Sequence, residues 1–128
     1  MDNNNNNRLM PWEAYPEIWK NRSAFFVYLR GCLRKAWNNS PVKHSYVKKK
    51  RKMIPNPNPR GRKKEVWGFK CECCGNDYAI GKGQVDHIIP SGSLNEMKDI
   101  QGFVERLLVV TDDDIRLICK ECHQIITN

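Results

Sequence analysis

The sequence predicts an α+β fold, a small C-terminal domain of strands and a short helix preceded by a basic helical arm. Three observations lead there. Apolar residues recur at helical spacing in the first half, whereas in the second half they gather in short runs typical of strands. Two Cys-x-x-Cys pairs bracket much of that second half. The charges also divide: residues 18–64 hold fifteen Lys and Arg and no acid, while residues 65–128 hold eleven acids against six bases. At 128 residues the chain suits one small domain with an arm, not two independent cores.

Taken in order, the first ten residues are dominated by Asn, lack the apolar core of a signal peptide, and read as a disordered polar tail. Residues 11–16 (PWEAYP) continue as an extended stretch with two aromatic anchors, which closes an N-terminal segment of residues 1–16. Asn21 or Ser23 can cap a helix running to about Trp37, along which Phe26, Leu29, Leu33 and Trp37 form an apolar stripe. The stripe is expected to pack on the main domain, and Cys32 reads as a core thiol. Arg30 and Arg34, on the other face, are candidates for phosphate contact. Pro41 ends this helix. A shorter one over residues 42–52 finishes in the run Lys48, Lys49, Lys50, Arg51 and Lys52. The prolines of residues 55–64 (PNPNPRGRKK) preclude helix and favour an extended linker that carries Arg60, Arg62, Lys63 and Lys64. The boundary between the arm, residues 17–64, and the C-terminal domain, residues 65–128, falls there.

No stretch approaches the ~20 apolar residues that a membrane span requires. The chain carries a net charge of +8, and its basic half cannot neutralise itself locally. A polyanion is the expected partner, and without a membrane anchor that means nucleic acid. With no secretory signal read in its first residues, the chain is expected in the cytoplasm. There thiols stay reduced, and six cysteines favour metal binding over disulfides.

The cysteine spacing is specific. Cys71-Glu-Cys-Cys74-Gly and Cys119-Lys-Glu-Cys122-His each suit a tight turn that aims two thiolates at one cation, and four thiolates satisfy tetrahedral zinc. Gly75 supports the first turn. Pairing of Cys71 with Cys73 is also conceivable, though matching spacing favours Cys74. A domain of about sixty residues has a thin core, so a structural zinc ion would act as its clamp. The residues between the pairs exceed what a minimal ribbon needs, so something else is built there.

Inside that loop, Val85, Ile88 and Ile89 read as a strand that holds Asp86 and His87 between buried positions. Residues 114–119 (DIRLIC) read as a second strand leading into the second Cys pair, with His123 on a short helix just after it. The pattern Cys-x-x-Cys, Asp-His, a polar residue five before a cysteine, then Cys-x-x-Cys-His resembles the motif of the HNH (ββα-metal) endonuclease family, over about residues 66–128. The resemblance implies a β-hairpin and helix gripping one divalent cation, Mg²⁺, Mn²⁺ or another, with Asp86 and His123 as its ligands. It also implies His87 as general base, Cys71, Cys74, Cys119 and Cys122 as zinc ligands, and double-stranded DNA as substrate. The middle position of the motif is usually Asn. Counting back five from Cys119 puts Asp114 there as a catalytic residue positioning the base, while Asp112 and Asp113 leave the alignment open by one or two residues. The basic first half is similar to small stand-alone HNH proteins of bacteriophages, which implies the cytoplasm of a host cell. The expected activity is phosphodiester hydrolysis, nicking or cutting both strands, by a monomer or a homodimer. The alternative is a zinc-stabilised DNA-binding module without catalysis, which accounts for charge and thiols but not for Asp86, His87 and His123.

Overall fold

A computed structural model describes residues 8–127; residues 1–7 of the Asn-rich tail lie outside the described residues. The segment expected to be extended is instead two single turns of helix, α1 (Pro11–Ala14) and α2 (Pro16–Trp19). Each proline opens its turn, where a missing N–H leaves no bond unmade. Glu13 accepts a hydrogen bond from the Met10 N–H at 2.8 Å. Aromatic packing holds both turns down: Trp12 lies 5.4 Å from Phe25 and 5.6 Å from Phe26, and Trp19 lies 5.0 Å from Phe25, between ring centroids.

Helix α3 (Arg22–Asn38) begins where the sequence places it, with the Asn21 side chain accepting from the Ala24 N–H at 2.9 Å. Its stripe does pack inward: Phe26 and Trp37 are buried, with Leu29 and Leu33 partly so. Cys32 does not follow the stripe. It is exposed, because it stands roughly 100° round the helix from those residues. Helix α4 (Pro41–Lys50) starts with Pro41 at its first position and stops two residues earlier than expected, because Lys52 already belongs to a strand.

That strand, β1 (Lys52–Pro55), pairs antiparallel with β2 (Glu65–Lys70), and β2 pairs with β3 (Asp77–Ala79). Residues 56–64 are therefore the connection of a hairpin and not a linker between domains. Asn56 closes it, its N–H donating to the Lys64 carbonyl and its Nδ2 to that of Lys63, both at 2.8 Å. Gly68 lets the buried Ile54 side chain lie across the sheet, since a Cβ there would stand 2.5 Å from Ile54 Cδ1.

A second antiparallel pair joins β4 (Gly83–His87) to β5 (Ile115–Cys119), with Gly83 opposite Cys119 and His87 opposite Ile115. Helix α5 (Ile100–Leu108) lies in the connection, and α6 (Lys120–Thr127) follows β5 and packs on both strands. Ile88 and Ile89, expected as buried strand residues, lie past the end of β4 and are 52% and 66% exposed. The Ile88 N–H donates to the Asp114 carbonyl at 2.9 Å, and Pro90 then carries the chain away.

One core spans the boundary expected at the proline-rich segment. Phe26, Trp37 and Tyr46 share it with Phe69, Leu94, Phe103, Leu117 and Ile118. The basic arm is thus docked against the C-terminal strands. Among the described residues no helix is long and apolar enough to cross a membrane.

Candidate metal centre and candidate active site

Each Cys-x-x-Cys pair sits where a strand ends. Cys71 follows β2, and its turn is closed by hydrogen bonds from Gly75 N to Cys71 O, at 2.9 Å, and from Cys71 N to Asn76 O, at 2.8 Å. Gly75 takes a φ of 81°, which glycine adopts without strain. Cys119 ends β5 and Cys122 lies in the first turn of α6. The sulfurs of Cys71, Cys74, Cys119 and Cys122 all lie within 4.8 Å of one another. Tetrahedral zinc with bonds of ~2.3 Å would place them about 3.8 Å apart, so the four thiols form a cluster that could hold such an ion. Cys74 is in this group and Cys73 is not, as matching spacing favours.

The electrostatics suit a cation. Burial pushes the Cys71 thiol up, but N–H groups of Cys74, Cys119 and Cys73 outweigh it and bring it down to about 6. They stand 3.4, 3.2 and 3.4 Å from its sulfur. A hydrogen bond with the Tyr78 hydroxyl lowers Cys74. Cys122 is pushed up, chiefly by its hydrogen bond with Cys119. Four sulfurs this close cannot all ionise unaided, and a divalent cation removes that conflict.

The second constellation lies on β4, β5 and α6. Asp86 stands opposite Arg116 in the ladder, and its Oδ2 accepts from Arg116 Nε and Nη2, each at 3.2 Å. Its Oδ1 lies 3.6 Å from His123 Nε2, and the Asp86 side chain is 12% exposed. Asp86 and His123, far apart in sequence, are thus brought together. His87, the next residue on β4, has other partners. Its Nε2 is 2.9 Å from the Leu107 carbonyl, and its ring centroid is 4.3 Å from that of the buried Trp37. A carbonyl can only accept, so Nε2 carries the hydrogen, and in the neutral ring the lone pair is on Nδ1.

Asp114 is placed differently from the expected pairing with His87. It ends a short 3₁₀ turn over residues 112–114, and its Oδ2 accepts from the Thr111 N–H at 2.8 Å and from Thr111 Oγ1 at 3.4 Å. The carboxylate caps that turn, and the His87 ring is bonded instead to a backbone carbonyl of α5. Arg116 and the Leu107 carbonyl went unremarked in the sequence. Arg116 was findable from the register, because pairing Gly83 with Cys119 sets Asp86 against Arg116. The carbonyl carries no sequence signal.

Several expected phosphate contacts already have partners. Arg30 Nη2 donates to the Leu94 carbonyl at 2.9 Å, which pins the loop before α5. Lys49 pairs with Asp112 at 2.7 Å, Lys52 with Asp77 at 2.9 Å, and Lys50 lies 3.9 Å from Glu72. Acids of the C-terminal half thus partly balance the basic run. Arg51 stacks over Trp67, 4.1 Å from the ring centroid. Lys48, Arg34, Arg60, Arg62, Lys63 and Lys64 are exposed and form no ion pair among the described residues.

Comparisons with protein-family models, with curated proteins and with solved structures find no match to this chain.

Proposed function

We propose that the chain is a metal-dependent DNA endonuclease of the HNH type, with His87 as general base and one divalent cation held by Asp86 and His123. In this reading the four-cysteine cluster holds structural zinc. The convergence of Asp86 Oδ1 and His123 Nε2 to 3.6 Å, from a strand and a helix distant in sequence, carries the proposal. The order β4, β5, α6, an antiparallel pair followed by a helix packed on it, is also what the resemblance to that family implies.

A carboxylate and an imidazole fit Mg²⁺, Mn²⁺ or a later transition metal and leave positions for water and phosphate. Such a cation supplies positive charge to the phosphate oxygens and to the departing 3′ oxygen. The side chains do the remainder. His87, with Nε2 committed to Leu107, offers Nδ1 to take the proton of the attacking water. Trp37 packs on the ring and limits its rotation. Arg116 holds Oδ2 of Asp86, which leaves Oδ1 turned to His123.

Conversion of supercoiled plasmid to nicked or linear DNA by the zinc-loaded chain in Mg²⁺ or Mn²⁺ is the direct test. Intact plasmid under both metals, with zinc bound, would refute the nuclease. A second reading, a DNA-binding module without catalysis, is favoured by one feature. Asp86 already has a cationic partner in Arg116, an ordinary reason for a carboxylate to be largely buried. That reading expects binding without cleavage.

A further inference from the structure

Between α4 and β2 lies an open cleft of about 670 Å³, lined by His44 and Lys48 of the helix, Arg51 just past its end and Trp67 of the strand, with Val47 and Ile80. Among the described residues no Asp or Glu lines it. Its cations differ in this from Lys49, Lys50 and Lys52, each of which faces an acid of the C-terminal half. Trp67 is 45% exposed, and Arg51 is stacked on its ring. A smaller neighbouring cavity shares Val47 and Ile80 and is lined by Gly83, Gln84 and Val85. The cleft therefore leads towards the strand that ends in Asp86 and His87.

We infer that this cleft takes one unstacked nucleotide of a DNA strand, its base on the Trp67–Arg51 pair and its phosphate on Lys48. Duplex phosphates are met on exposed surface and need no recess with an aromatic wall. A base lifted from its stack does need one, and every base can stack on an indole or a guanidinium plane. The volume falls within the range of pockets that enclose a small molecule, ~300–1,000 Å³. The absence of acids leaves the positive potential of Lys48 and Arg51 intact for a phosphate. The inference rests on the nucleic-acid part of the proposed function and specifies the strand form bound. It does not require catalysis.

The test uses the full zinc-loaded chain without added divalent cation. Affinity is measured by anisotropy for a labelled oligothymidylate and for a duplex of the same length. Trp67→Ala should weaken the single strand by roughly 5- to 100-fold, with a much smaller loss for the duplex. Trp67→Phe should retain most of the affinity, and tryptophan emission that the oligonucleotide quenches in the parent should lose that response in the Phe variant. Lys48→Gln, at an exposed helix position, should reduce the salt slope for the single strand by about 0.7, and it keeps the test open if Trp67→Ala melts early. Unchanged single-strand affinity in a folded Trp67 variant, or an equal loss for both DNA forms, would overturn the cleft. A chain that binds in this way but never cuts plasmid sinks the nuclease and leaves the cleft standing. One that cuts plasmid with single-strand affinity indifferent to Trp67 does the reverse.

Discussion

His87 has one ring nitrogen anchored on the Leu107 carbonyl and, in the neutral ring, its lone pair on the other. Under the proposed chemistry His87→Ala should lower the cleavage rate by on the order of 10²–10⁴, the usual worth of a general base, with zinc content and DNA affinity unchanged. Plasmid nicking rates decide this, and a variant within tenfold of the parent removes His87 from the role. Asp114 leads to the opposite expectation. Because its carboxylate caps Thr111, Asp114→Asn keeps an acceptor in place and should alter cleavage less than a few-fold, while Asp114→Ala should cost about 1 kcal/mol of stability. Urea melts measure the second effect. If Asp114→Asn abolished cleavage while the melt stayed unchanged, Asp114 would return to the catalytic set. The sequence could place a polar residue near the base but not aim it. The capping hydrogen bond within residues 111–114 competes for the same carboxylate, and the shorter loop wins.

The elements most legible in the sequence are those built from local contacts. The Asn21 cap, the stripe of α3 and the two cysteine turns each depend on residues within a few positions. What stayed hidden depends on contacts made across the chain. Residues 11–16 have little helical propensity of their own and become helical against Phe25 and Phe26. Lys52 reads as the end of a helix and Pro55 as the start of a linker until β2 offers residues 52–55 hydrogen-bond partners. The cysteine turns carry their own expectation, since they fasten β2 to β5 and the start of α6. Cys119→Ser, or removal of zinc with a strong chelator, should unfold these strands and lower the melting temperature sharply. Withdrawing only Mg²⁺ or Mn²⁺ should stop cleavage and leave the melt unaltered. Circular dichroism with elemental analysis separates the two proposed metals, and folded protein without zinc would refute the structural assignment.

For the whole molecule, the uneven charge of the sequence is partly resolved by folding, which brings Asp112, Glu72 and Asp77 to the basic run. If Arg34, Arg60, Arg62, Lys63 and Lys64 each meet one phosphate, log affinity for duplex DNA should fall with log salt at a slope of about −4.5. Asp112→Asn would release Lys49 and steepen that slope by up to about 0.9. Affinity indifferent to salt would show that these side chains do not meet phosphate. One carboxylate has a consequence at this scale. Glu72 sits inside the first cysteine turn, and its Oε2 accepts both from the Tyr46 hydroxyl on α4 and from the Leu117 N–H on β5, each at 2.6 Å. A single oxygen thus ties the arm, the turn and the second strand pair together. None of the three can open without breaking a charge-assisted bond to another. They should behave as one cooperative unit, with the amides of α4 exchanging hydrogen through the same global opening as those of β5. Glu72→Gln should loosen that tie, so that α4 begins to exchange earlier than β5 while the sulfur cluster stays whole.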